Sequence, residues 1–181
     1  MLVTDFINRA TELGARVHPV STSDEAAAWV VEIFTTTGSH KVVVAPELDE
    51  LAAEFRENLA RAGADFVDGD LPQALALADM GVTRAAMGIA ETGTIVVAGN
   101  ESLPRLATML PLVHIALLEE GDLVPSLDEA GEYLRKVSLG TGSEQPRYVS
   151  FVGGPSRTSD VEKTLTVGAH GPGELHIILL G

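Results

Sequence analysis

The residues best suited to chemistry lie in a stretch rich in glycine and hydroxyl side chains, from Phe151 to Asp160. An apolar run, Tyr148 to Val152, ends there at two glycines and a proline, and a helix-like pattern follows from Val161 to Leu165. We therefore predict a strand, a tight turn and the start of a helix. Glycine permits close approach of a ligand, and the first N–H groups of a helix can bind an anion. This stretch, to which Arg157 adds a planar cation, predicts an anion site.

Two further segments carry more glycine, threonine and charge than a connecting loop needs. One is Glu91-Thr92-Gly93-Thr94, and the other contains His170 and Gly171. A carboxylate beside threonine and glycine could act as a base or nucleophile, and it could equally be a solvated turn residue. Glu91 is therefore a candidate catalytic residue with both interpretations open. The candidate ligand-binding residues are Thr92, Gly93, Thr94, Gly154, Pro155, Ser156, Arg157, Thr158, Asp160, His170 and Gly171.

Comparison with known sequence motifs argues against several kinds of ligand site and catalytic residue. The stretch from Gly153 to Asp160 has neither the G-x-G-x-x-G spacing of a dinucleotide site nor the G-K-[ST] of a P-loop. Ser156 lacks the G-x-S-x-G surroundings of a serine hydrolase nucleophile. His170 and His176 do not follow the H-E-x-x-H spacing, so no metal site is predicted. His114, at the start of a buried strand, is interpreted as a structural histidine satisfied by the backbone.

Length and charge limit the organisation of the chain and its partners. The 181 residues fit one domain, residues 1–181, with a helix-rich part over about 1–40 and a motif-bearing core over about 41–181. Lys and Arg number 12 against 26 Asp and Glu, which gives a net charge of −14. Because phosphate backbones and anionic lipids attract basic proteins, this charge argues against nucleic acid and membrane as partners.

The chain contains no cysteine, so it cannot supply a disulfide, a thiolate metal ligand or a cysteine-held iron–sulfur cluster. A partner protein would have to supply any redox centre. The N-terminus has no pattern of a signal peptide, and the longest apolar run, Leu106 to Leu118, is too short to span a membrane. We therefore expect a cytoplasmic protein.

Runs of β-branched residues that alternate with helical patterns predict the fold class. Lys41 to Ala45 is typical of a strand buried on both faces of a parallel sheet, and Pro46 then starts a helix over 47–62. Another helix is predicted from Asp70 to Asp79, ended by Gly81. We expect an α/β fold, a single-domain layered structure with a mostly parallel sheet and helices on both faces.

Other elements follow from capping and turn patterns. Thr22 to Glu25 has the spacing of a capping box, and the helix that it starts should direct Trp29 and Ile33 into the core. The runs Ala85 to Ala90 and Thr94 to Ala98 are separated by three residues that include glycine. This spacing predicts a β-hairpin.

Four ordered motifs indicate a family. They are Ala90-Glu91-Thr92-Gly93-Thr94, Pro111-x-x-His114-Ile115, Gly154-Pro155-Ser156-Arg157-Thr158-Ser159-Asp160 and Gly168-Ala169-His170-Gly171-Pro172. Together they resemble the lactate-utilisation protein C family, which has the LUD domain. The resemblance implies a fold like that of the glucosamine-6-phosphate isomerase, ribose-5-phosphate isomerase and coenzyme A transferase group.

The resemblance also implies a function. The family takes part in oxidising L-lactate to pyruvate together with two iron–sulfur partner proteins. Without cysteine, this chain resembles the short, cluster-free component, and we expect an accessory or anion-binding subunit. The motif positions Glu91, Arg157 and His170 are carried over without assigned roles.

Two other functions stay open. In one, the chain is a free-standing isomerase, transferase or ligase-like enzyme that binds a phosphorylated or coenzyme A-type molecule, with Glu91 as base or nucleophile. In the other, it is an interaction protein with an exposed apolar patch.

Overall fold

The computed structural model describes residues 1–67, 72–139, 146–159, 165–167 and 171–181. The helices are α1 (Leu2–Glu12), α2 (Ser23–Thr37), α3 (Glu50–Arg61), α4 (Pro72–Leu75), α5 (Ser102–Ala107) and α6 (Leu127–Leu139). The strands are β1 (Arg16–Val20), β2 (Lys41–Val44), β3 (Asp65–Phe66), β4 (Met80–Arg84), β5 (Met87–Ile89), β6 (Thr94–Gly99), β7 (Val113–Glu119), β8 (Leu123–Val124), β9 (Tyr148–Val152), β10 (Arg157–Ser159), β11 (Leu165–Val167) and β12 (Glu174–Leu180). Short 3₁₀ turns occupy Pro46–Leu48 and Glu120–Asp122.

The main sheet has six strands in the order β1-β12-β7-β4-β2-β3, and every neighbouring pair in it is parallel. A second, mixed sheet has the order β8-β5-β6-β9, and β10 pairs with β11. The parallel sheet confirms the predicted α/β class. No helix within the described ranges is long and apolar enough to cross a membrane.

Two cores lie on opposite faces of the main sheet. On one face α2 and α3 pack against the strands, with Ile33 and Phe55 buried beside Ile115. On the other face α1 and the second sheet share a core that includes Phe6 and Ile95. Side chains alternate along each strand, so β12 contributes to both cores. Helices on both faces are thus confirmed, and the second sheet adds to one of these layers.

Helix α2 confirms its predicted start but not its predicted buried face. The Glu25 N–H donates to Thr22 Oγ1 at 3.2 Å, which is the capping contact that the spacing predicted. Ile33 is buried, whereas Trp29 is 38% exposed, so the prediction that Trp29 faces the core is wrong. Because α2 packs over the edge strand β1, Trp29 meets the His18 ring there, with 4.1 Å between ring centroids.

The helix predicted over 47–62 is interrupted. A 3₁₀ turn over Pro46–Leu48 is followed by Asp49, whose φ of 52° breaks the helical path, and α3 starts at Glu50. The sequence could not show this break, because Leu48, Phe55 and Leu59 have the spacing of one continuous helical stripe.

The helix predicted to end at Gly81 is also wrong. Helix α4 ends at Leu75, and Gly81 lies inside β4, near the centre of the main sheet. A Cβ atom at position 81 would overlap the Ala107 carbonyl oxygen and lie 3.2 Å from Pro111 Cγ. The close approach of α5 to β4 therefore requires glycine at position 81. The sequence pattern predicted a helix end there.

Candidate functional site

The Glu91–Thr94 segment forms the turn between β5 and β6, which confirms the predicted hairpin. Gly93 has a φ of 65°, and its N–H donates to the Ile89 carbonyl at 2.8 Å. A Cβ atom at Gly93 would overlap backbone atoms of Arg9 and lie 2.7 Å from Ala10 Cα. Only glycine therefore allows this turn to rest directly on α1.

The Glu91 carboxylate caps a helix. Its Oε2 accepts a hydrogen bond from the Leu127 N–H, at the start of α6, at 3.0 Å. The Glu91 N–H donates to the Pro125 carbonyl at 3.0 Å, so the backbone is held as well. A negative charge at a helix N-terminus is stabilising. Glu91 thus has a structural role that the sequence did not indicate, beside its candidate role in chemistry.

A cavity of about 480 Å³ adjoins Glu91. It carries three carboxylates against one guanidinium, and that guanidinium, on Arg9, pairs with Glu12 at 2.8 Å. Such a cavity is unfavourable for a small anion, because the carboxylates repel it. The residues that line it are Leu2, Asp5, Asn8, Arg9, Glu12, Ala90, Glu91 and Pro125.

The first two predicted segments meet at the end of α1. Gly154 has a φ of 142°, and a Cβ atom there would lie 2.7 Å from the Leu13 carbonyl oxygen. A Cβ atom at Gly153 would lie 3.6 Å from Thr94 Oγ1. This proximity follows from the antiparallel pairing of β6 with β9, which ends at Ile95 and Val152.

The third predicted segment contacts the first. The Ser156 N–H, next to Pro155, donates to the Pro172 carbonyl at 2.8 Å, and a Cβ atom at Gly171 would lie 3.2 Å from Ser156 Cβ. The Ser156 N–H is therefore bonded within the protein. Its hydroxyl remains the group through which this residue could contact a ligand.

The segment predicted as a turn between Ser156 and Asp160 contains a short strand. Arg157 and Thr158 belong to β10 and pair antiparallel with Val167 and Thr166, and Leu165 starts β11. β-Branched residues favour extended backbone, and here their cross-strand pairing decides the structure. Arg157 to Ser159 are therefore extended and not the predicted tight turn, and of the helix predicted from Val161 to Leu165 only Leu165 is described, where it lies in a strand. Asp160, His170 and residues 161–164 lie outside the described residues.

His114 is completely buried, and its Nε2 lies 2.9 Å from Thr83 Oγ1. Its partner is thus a side chain and not the backbone that we predicted. Burial lowers the pKa of His114 to about 4. In the part of the chain that the structure describes, His114 Nδ1 and Thr92 Oγ1 are buried without a hydrogen-bond partner.

A pair of histidines at the sheet edge escaped the sequence analysis. His18 Nε2 lies 3.0 Å from His176 Nδ1, and His176 Nε2 lies 3.1 Å from Glu174 Oε2, which also pairs with Arg16. Burial, then the nearby His176 and Arg16, lower the pKa of His18 to about 4, and burial lowers that of His176. Among the residues described, no group of three or more His, Asp or Glu side chains is placed to hold a metal ion.

Burial also raises the pKa of Glu47 to about 7 and that of Tyr148 to about 12, and neither residue was singled out from the sequence. Glu47 stands just after β2, whose buried strand pattern was recognised, and Tyr148 starts β9. The position of Glu47 at the carboxyl end of a parallel strand was a usable signal, because ligands of open α/β sheets bind at that edge.

Comparison with known proteins identifies the family. The sequence profile of the LUD domain matches residues 3–180. The chain belongs to the LUD domain family. This confirms the resemblance inferred from the four motifs.

The relatives of this LUD domain include proteins named lactate utilization protein C. That of Bacillus subtilis is 31% identical over 103 residues, which cover 57% of this chain and 42% of the relative. That of Exiguobacterium is 35% identical over 120 residues, which cover 64% and 52%. The chain thus spans about half the length of these relatives.

A crystal structure of a DUF162 family protein from Deinococcus radiodurans has the same fold. Its TM-score is 0.71 at 22% sequence identity, and the match covers 99% of this chain and 96% of that protein. The layered α/β fold is therefore shared along nearly the whole chain.

Proposed function

We propose that this LUD domain takes part in L-lactate utilisation, as a component of a system that oxidises L-lactate to pyruvate. The observation that carries the proposal is its similarity to proteins named lactate utilization protein C, at 31% and 35% identity. LUD domain membership over residues 3–180 supports it.

Within that system we assign the chain a cluster-free, accessory role. It has no cysteine, and lactate oxidation needs an electron acceptor, which iron–sulfur partner proteins would supply. The chain and these partners would meet in the cytoplasm, where cysteine thiolates stay reduced.

For the anion-binding part of this role we favour the junction at the end of α1 over the cavity beside Glu91. Thr94 and Gly153 are close there, and Ser156 adjoins Gly171. Thr94 and Ser156 each supply a hydroxyl group, and Gly153 and Gly171 add little steric bulk. The cavity beside Glu91 is rich in carboxylates, which disfavours a lactate carboxylate.

Reconstitution tests the proposed role. The two iron–sulfur partner proteins of the same organism are purified, and L-lactate oxidation is measured by reduction of an artificial electron acceptor, with and without this chain. We expect the chain to raise the rate at least tenfold. Arg157→Gln should raise the lactate concentration needed by about tenfold, since a hydrogen bond to a charged group contributes roughly 1.5–3 kcal/mol.

Arg147→Gln serves as the matched control, because Arg147 is exposed and lies outside the predicted segments. It should behave like the unchanged chain. An oxidation rate that is the same with and without the chain would refute the accessory role.

A further inference from the structure

An open cavity of about 360 Å³ lies on the exposed face of α2. Glu25, Ala28, Trp29 and Glu32 line it, and their spacing of three and four residues places them on one face of the helix. Trp29 is the only tryptophan of the chain, and it is exposed although tryptophan is on average a highly buried residue. Its indole ring therefore offers a large apolar surface that a partner could cover.

The Trp29 ring is held in place by a chain of contacts at the edge of the main sheet. The His18 ring meets it with 4.1 Å between ring centroids, and His18 Nε2 lies 3.0 Å from His176 Nδ1. His176 Nε2 in turn lies 3.1 Å from Glu174 Oε2. Because burial lowers the pKa of His18 to about 4, the ring that meets Trp29 is neutral at pH 7. The indole is thus oriented before a partner arrives, which lowers the cost of binding.

The carboxylates beside Trp29 are not neutralised within the part of the chain that the structure describes. Helix α2 contains no Lys or Arg, and no cationic side chain of the described residues pairs with Glu25 or Glu32. Glu25 accepts a hydrogen bond from the Ser21 N–H at 2.7 Å, which leaves its negative charge in place. In three other helices a glutamate pairs with an arginine of the same helix, namely Arg9 with Glu12, Arg61 with Glu57 and Arg135 with Glu132. The face around Trp29 is therefore complemented by a cation.

An arginine side chain matches this face better than other cations do. Its guanidinium group is planar, stacks on an indole ring and donates hydrogen bonds to carboxylates. Glu25 and Glu32 lie on either side of Trp29, roughly 10 Å apart along the helix axis. A guanidinium over the Trp29 ring is thus attracted by both carboxylates.

The shape of the cavity favours a side chain that belongs to another protein. All four described lining residues come from one helix, so the cavity is open on its other sides. Pockets for small molecules, by contrast, enclose most of the surface of their ligand. A side chain presented by a partner protein would bring the remaining contacts with it.

We propose that the α2 face around Trp29 is a docking surface for a basic, arginine-bearing segment of a partner protein. The guanidinium group stacks on the Trp29 ring, and Glu25 and Glu32 neutralise its charge. The net charge of −14 adds a long-range attraction for a basic partner. The inference goes beyond the proposed function, because this recognition follows from the residues of α2 whether or not L-lactate is oxidised.

Peptide binding at pH 7 tests this surface. The probes are two fluorescein-labelled peptides of glycine and serine that carry either two arginines or two citrullines, which have the shape of arginine without its charge. We expect fluorescence anisotropy to show that the arginine peptide binds about tenfold more tightly, since citrulline loses the contact of a cation with the ring and with both carboxylates. Trp29 is the only tryptophan, so a change in tryptophan emission with unlabelled arginine peptide locates the binding.

Variants separate the contribution of the ring from that of the charges. Trp29→Leu should weaken binding of the arginine peptide about fivefold, and Glu32→Gln about threefold. Glu132→Gln is the matched control, because it removes an equal charge from an exposed position on α6. It should bind like the unchanged chain. Circular dichroism establishes that each variant is folded.

The proposal is overturned if the arginine and citrulline peptides bind equally. It is also overturned if Glu132→Gln weakens binding as much as Glu32→Gln does, because the attraction would then come from net charge alone. Binding of free N-acetylarginine amide as tight as that of the peptide would contradict a protein segment as the occupant. Should Trp29→Leu fail to fold, the comparison of Glu32→Gln with Glu132→Gln decides.

Discussion

Replacing Gly93 by alanine is expected to destabilise the fold by about 2–5 kcal/mol, which is the sum of overpacking and of a left-handed non-glycine residue. The added methyl group would overlap the backbone of Arg9 and approach Ala10 Cα to 2.7 Å. Backbone atoms of α1 cannot move aside as a flexible side chain does. The φ of 65° adds strain even where space is available. The free energy of unfolding, measured by urea denaturation, gives the size of the effect.

Gly121→Ala is the matched control for Gly93→Ala. A Cβ atom at Gly121 would meet nothing within 4 Å, so its substitution should change stability by less than about 0.5 kcal/mol. If the two variants are equally stable, the close contact between the turn and α1 is wrong. The placement of Glu91 beside α1, which depends on that contact, would then be contradicted as well.

Acid should weaken the fold through His114. Its pKa is about 4 in the folded protein against an ordinary 6.5, so below pH 6.5 the unfolded chain binds a proton that the folded protein excludes. The contribution that neutral, buried His114 makes to the free energy of unfolding is therefore complete above pH 6.5 and is lost as the pH falls towards 4. The loss from one such group is roughly 1.4 kcal/mol per pH unit, or about 2 kcal/mol between pH 6.5 and 5.

Other groups also titrate in this range. His18 and His176 act in the same direction, and His18, being half-buried, contributes less. Glu47 acts in the opposite direction, since its raised pKa favours the folded state as the pH falls. The contribution of His114 must therefore be measured as a difference between two proteins.

His114→Asn provides that difference, because asparagine can bond to Thr83 but does not titrate. Urea denaturation of both proteins between pH 7.5 and 5 should show a steeper loss of stability for the unchanged chain. Parallel pH dependences for the two proteins would contradict the burial of a neutral His114.

The sequence predicted those elements whose pattern is local. The run from Lys41 to Val44 is continuous and β-branched, so it could only be a buried strand, and three residues between two strand patterns correctly predicted a hairpin. Where an element depends on a distant neighbour, the prediction failed. The sequence pattern predicted a helix end at Gly81. The residue lies instead in a central strand, where the close approach of α5 leaves no room for a side chain.

The same division holds for the candidate site. Thr94 and Gly153, which lie in two of the predicted segments, come close together through the pairing of β6 with β9, whereas the turn expected at Arg157 is a strand. The contact between His18 and His176 was not predictable, because it depends on the parallel register of β1 with β12.

Growth on L-lactate tests the involvement of this LUD domain in lactate utilisation most directly. The coding sequence is deleted from the organism that carries it, and growth is compared on L-lactate and on pyruvate as carbon source. We predict that the deletion strain grows normally on pyruvate, fails to grow or grows slowly on L-lactate, and recovers when the chain is supplied from a plasmid. Equal growth of the deletion strain and its parent on L-lactate would contradict the proposed function.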